Sequence, residues 1–81
     1  MPPRMSNYDE RDDQRVRDEF GAKLRELRTA HGMSQQEMSA FVGISRSLVE
    51  AVETGRKNVT VVTAYRMADA LGIYPLDLWP K

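Results

Sequence analysis

Residues 35–54 read QQEMSAFVGISRSLVEAVET, and the helix boundaries in and around them decide the fold. Just before them, Ser34 with Glu37 three residues on forms a capping box, in which a hydroxyl and a carboxylate each satisfy a free backbone N–H at a helix start. Met33 and Met38 flank it at the spacing of a hydrophobic staple. Gly43 ends that helix, because glycine enters the left-handed conformation of a helix terminus without a Cβ penalty. Ser45 then caps a further helix to about Thr54, with Val49 and Val52 inward and Gly55 closing it. The stretch therefore predicts two short helices joined by a tight turn.

Upstream, Asp9 is a candidate N-cap, and Val16, Phe20, Leu24 and Leu27 recur at spacings of four and three before Gly32. Gly21 interrupts this first helix at a cost of about 1 kcal/mol relative to Ala, so the segment before Phe20 is expected as a separate or frayed turn. Downstream, Thr60 caps a helix carrying Val62, Tyr65, Met67, Ala68 and Leu71 that stops at Gly72. A last short helix opens with Pro75 at its first position. Five helices and no strand predict an all-α five-helix bundle. Residues 1–8, with two prolines and little that packs, are expected as a disordered arm, and residues 9–81 as one domain.

At 81 residues the chain holds a single core, and with 41% hydrophobic residues a dimer interface is an expected supplement to its stability. Cysteine is absent and His31 is the only histidine, so no disulfide and no structural metal is expected, and no cofactor motif occurs. His31 reads as a residue of a helix C-terminus. Residues 1–8 lack the apolar run of a signal peptide and no spanning segment follows, which predicts a cytoplasmic protein without a membrane partner. Net charge is zero, yet residues 1–20 hold four Arg against six acidic residues, and the remaining eight basic and six acidic residues leave +2. Arg46, Arg56 and Lys57 lie close together in that second part. Such weak overall basicity predicts modest electrostatic affinity for nucleic acid, leaving specific contacts to carry any useful binding.

A helix-turn-helix needs small residues where its helices cross, a residue free to take positive φ in its turn, and apolar residues beneath the second helix. Counted from Gln35, Ser39, Gly43 and Val49 occupy the fifth, ninth and fifteenth places, with Met38, Val42 and Val52 as fillers. From Phe20 to Trp79, the text FGAKLRELRTAHGMSQQEMSAFVGISRSLVEAVETGRKN followed by YRMADALGIYPLDLW resembles the xenobiotic-response-element family, the Cro and phage-repressor type of helix-turn-helix. Ser39 replaces its usual alanine, and Asn58 with Val59 replaces the proline common after the loop. The GRKN run at residues 55–58 is similar to the controller proteins of restriction-modification systems.

That resemblance implies a lambda-repressor-like bundle and a transcriptional regulator that binds double-stranded DNA, as a repressor-type homodimer on inverted repeats. It implies that Arg46, Ser47 and Glu50 meet base edges in the major groove. Arg46 suits guanine O6 and N7, with a pairing to Glu50 at i,i+4 as the plainer reading. Leu48 and Ala51 are expected outward, within reach of a thymine methyl, or of a partner in the case of Leu48. Gln35 and Ser45 at helix starts and Arg56, Lys57 and Asn58 in the loop are expected on phosphates. The resemblance also implies a largely buried salt bridge between Arg28 and Glu53. Leu76, with Ile73 or Tyr74, is the expected dimer contact, and Trp79 is expected to cover the end of the core beside Leu78. No nucleophile set, carboxylate pair or phosphate loop suggests an enzyme. The rival reading is an antitoxin or other protein–protein module, which the acidic N-terminal segment and Trp79 would suit, with a toxin or other protein as partner.

Overall fold

The computed structural model describes residues 7–80. The elements are α1 (Glu10–Ala30), α2 (Gln35–Val42), α3 (Arg46–Glu53), α4 (Val61–Leu71) and a 3-10 turn (Pro75–Leu78). Among the described residues the fold is all-helical. The expected five-helix count becomes four α-helices and one 3-10 turn. The segment PLDL is too short for an α-helix, and it closes instead with Asp77 N–H donating to the Tyr74 carbonyl and Trp79 N–H to the Leu76 carbonyl. Of the arm expected over residues 1–8, residues 1–6 lie outside the described residues.

Each α-helix starts on a side-chain cap. The Asp9 carboxylate accepts from Arg11 N–H at 2.9 Å, while Asp12 accepts the Asp9 N–H at 2.9 Å in return. Ser34 and Glu37 close the expected box at 3.0 and 2.9 Å. Ser45 accepts from Leu48 N–H, and Thr60 from Thr63 N–H. Between α2 and α3, Gly43 takes φ +79° and donates to the Ser39 carbonyl at 2.8 Å.

The break expected near Gly21 does not occur, and α1 runs unbroken for 21 residues. Gly21 is a point of close approach: a Cβ there would lie 2.2 Å from the Val52 carbonyl oxygen and 2.8 Å from that of Glu53. The missing Cβ of this glycine, despite its helix-propensity cost, is what lets the end of α3 lie directly on α1.

Leu24, Met38, Val42, Val49, Val52, Met67, Ala68, Leu71 and Leu78 form one buried cluster. α3 packs on α1 and α2, α2 also packs on α4, and the 3-10 turn packs on α4 and α1. Of the apolar residues that α4 carries, Val62 and Tyr65 are exposed, because Ala64, Met67, Ala68 and Leu71 set the phase of its inner face. Trp79 meets Phe20 edge-on, with ring centroids 6.0 Å apart, and ties the C-terminal segment back to α1. Among the described residues no helix is long and apolar enough to cross a membrane.

Candidate nucleic-acid interface

The first turn of α3 is the most polar part of the helix-turn-helix surface, with Ser45, Arg46 and Ser47 exposed in succession. The Ser45 cap sets where α3 begins, and Arg46, as its first residue, projects beside the amino end of α2. The loop after α3 then folds back over the helix. Arg56 and Lys57 N–H both donate to the Ala51 carbonyl, at 2.8 and 3.3 Å, through the left-handed turn at Gly55, φ +77°. One shallow depression is consequently lined by Ser45, Ser47, Leu48, Glu50, Ala51, Arg56 and Lys57. Ser47, Leu48, Glu50 and Ala51 thus share a single surface with the loop cations Arg56 and Lys57, and Arg46 is not among its lining residues.

Two of the expected outward residues are placed differently. Ala51 is only 9% exposed, because the returning loop lies over the last turn of α3. Leu48 is half-buried and packs against the core cluster, beside the fully buried Val49. Both still line the depression, with less surface than a simple helical count gives them. Asn58 lies away from the depression and lines an apolar groove with Val16, Phe20, Val59, Ala64 and Trp79.

The polar pairings also differ from the simplest i,i+4 reading. Glu50 pairs with Arg56 of the loop, not with Arg46. Arg46 instead donates to the Gln35 side-chain oxygen at 3.3 Å. The nitrogen of the same Gln35 amide donates to Glu53 at 3.1 Å. Glu53 in turn receives two bonds from the Arg28 guanidinium, at 2.6 and 3.0 Å, and Arg28 makes a third to the Met33 carbonyl at 2.7 Å. The Arg28 and Glu53 side chains are 10% and 2% exposed.

A continuous set of bonds therefore runs from the buried ends of α1 and α3, through the start of α2, to the exposed guanidinium of Arg46. Its innermost pair is charged and fully bonded. The hydrogen bond to Glu53 holds the Arg28 pKa above its ordinary value, outweighing the desolvation that acts the other way. Sequence reasoning places Gln35 on a phosphate but misses its bridging amide, because residues 11 and 18 positions apart in the chain carry no local signal for one another.

At the opposite end, Tyr74 and Leu76 are 80% and 75% exposed, whereas Ile73 is half-buried against the core. Two of the three expected dimer residues are therefore free surface, and the third is partly committed to the fold.

Comparison with known proteins gives consistent results. Residues 24–79 match the helix-turn-helix family HTH_3. The restriction-modification controller protein C.AhdI from Aeromonas hydrophila is 44% identical with a TM-score of 0.76, over 78% of this chain and 96% of that one. An HTH-type transcriptional regulator of Sinorhizobium fredii, y4dJ, is 38% identical over 58 residues, 72% of this chain and 75% of that protein. The control protein C.BamHI of Bacillus amyloliquefaciens is 32% identical over 60 residues, 73% of this chain and 74% of that protein. The family is one of regulators, not of enzymes. With the matched residues covering both helices of the motif and the core beneath them, the chain belongs to the helix-turn-helix family of DNA-binding transcriptional regulators.

Proposed function

We propose that this protein binds a specific inverted-repeat site in double-stranded DNA as a homodimer, with α3 of each protomer in the major groove. The observation that carries this reading is the depression in which Ser45, Ser47 and Glu50 lie with Arg56 and Lys57, next in sequence to the exposed Arg46. Arg46 takes guanine through O6 and N7, the pairing its forked donors suit. Ser47 and Glu50 contact neighbouring base edges, Glu50 as an acceptor for cytosine N4 once Arg56 turns to a phosphate. Gln35, Ser45, Arg56 and Lys57 contact the backbone and fix the register of the helix. Leu48 and Ala51, packed as they are, belong to the support of α3 rather than to its reading edge.

Residues 9–81 act as one binding unit. Leu76 and Tyr74, flanked by Ile73, supply the two-fold contact, which sets the two α3 helices about one helical turn of DNA apart. Similarity to restriction-modification controllers supports control of the genes of such a system as the biological setting. The toxin-binding alternative draws on the acidic N-terminal segment and on Trp79, whose ring packs edge-on against Phe20 while part of it stays exposed.

Selection from a library of randomised duplexes tests the proposal. The protein is expected to enrich an inverted repeat, and Leu76→Asp, on an exposed position, is expected to reduce the requirement to a single half-site with weaker binding. Enrichment of no sequence, or of the same repeat at unchanged affinity by Leu76→Asp, contradicts it.

A further inference from the structure

The amino-terminal half of α1 precedes Leu24, where the match to the family begins. It nevertheless touches the loop that follows α3. The Gly55 carbonyl accepts two side-chain bonds from this segment, from Gln14 Nε2 at 3.0 Å and from Arg17 Nε at 3.3 Å. A carbonyl has two lone pairs, so these two donors satisfy it fully. The donors are themselves interlocked. Arg17 Nη2 donates to the Gln14 oxygen at 2.9 Å, and Gln14 Nε2 also donates to Asp18 Oδ1 at 2.8 Å. Gly55 is buried under this group at φ +77°, and a Cβ there would lie 2.0 Å from Asp18 Oδ1.

Gly55 leads directly into Arg56, Lys57 and Asn58. On the inner side, the loop is held by the bonds from Arg56 and Lys57 N–H to the Ala51 carbonyl. On the outer side, Gln14 and Arg17 hold it. A loop fixed at both points presents its cations and amides without the entropy cost of ordering them on binding. We propose that Gln14 and Arg17 are positioning residues for DNA binding, a strut from α1 that sets the loop of residues 55–58 against the phosphate backbone. Neither side chain needs to touch DNA for this. The inference rests on the reading of that loop as the phosphate contact.

The test compares three variants on cognate and scrambled duplexes across a salt series, with thermal melts of each. Gln14→Leu/Arg17→Leu removes both strut bonds and one positive charge. Arg15→Leu removes one charge from the same turn of α1 without touching Gly55, since Arg15 pairs with Asp12 and Glu19. Lys57→Ala removes a loop cation directly. The strut variant is expected to lose about tenfold in affinity on both duplexes, the scale of one charge-assisted hydrogen bond, and its salt slope to become shallower by about one unit. Arg15→Leu is expected to keep the slope. A folded strut variant that behaves like Arg15→Leu, while Lys57→Ala binds weakly, overturns the strut and leaves the loop reading intact. Unchanged binding by Lys57→Ala overturns the loop reading itself. If the double variant melts early, the single Gln14→Leu, at an exposed position and neutral in charge, is expected to show the same change of slope in reduced measure, and an unchanged slope overturns the proposal.

Discussion

The Arg28 guanidinium and the Glu53 carboxylate lie where three helices meet, and neither charge has water to fall back on. A buried ion pair gives little net stability against an apolar pair of the same size, but a buried charge without its partner is costly. Glu53→Ala is therefore expected to destabilise the fold by about 3–5 kcal/mol in urea unfolding, whereas Arg28→Met combined with Glu53→Leu is expected to recover most of that loss. A wild-type midpoint for Glu53→Ala contradicts the burial argument. At this scale the sequence carries residue types better than partners. Ser39, Gly43 and Val49 stand at their expected places because the crossing of two adjacent helices is a local constraint. The choices of Glu50 for Arg56 and of Arg46 for Gln35 depend on where the loop after Gly55 turns, which no nearby residue announces.

At the scale of elements, helix starts are legible because a cap is a contract between residues two or three apart. All four α-helices begin on the residue whose side chain predicts it, Asp9, Ser34, Ser45 and Thr60. The continuity of α1 is not legible, because Gly21 answers to the Val52 and Glu53 carbonyls on another helix. The capping box of α2 gives a pH prediction. Bonds from the Ser34 backbone and side chain hold the Glu37 carboxyl below its ordinary value of 4.5. A carboxylate whose pKa is depressed on folding stabilises the folded state above its unfolded pKa and loses that contribution as pH falls through the folded one. The contribution of Glu37 is thus complete at neutral pH and declines below about pH 4.5. Thermal melts are expected to show Glu37→Gln less stable than wild type at pH 7, the gap narrowing as the pH falls below the carboxylate range. A gap that stays constant with pH contradicts the assignment.

At the scale of the molecule, zero net charge separates this protein from binders that hold DNA mainly by their field. Phosphate neutralisation supplies most non-specific affinity, so under the proposed reading a neutral chain with two cations at one depression relies on base contacts and on a second protomer. The polar network from Arg28 to Arg46 ties the proposed reading residue to the core, and the two-fold contact proposed at Leu76 would double that reading. The central claim is that the first turn of α3 reads sequence, and its most direct measurement is binding by Arg46→Ala to cognate and scrambled duplexes at one fixed salt concentration. Arg46 is exposed, so the variant is expected to remain folded. Loss of a bidentate guanine contact removes about 1–3 kcal/mol of discrimination, so the cognate-to-scrambled affinity ratio is expected to fall by about tenfold or more while scrambled binding changes far less. A folded Arg46→Ala protein with the wild-type ratio contradicts the account.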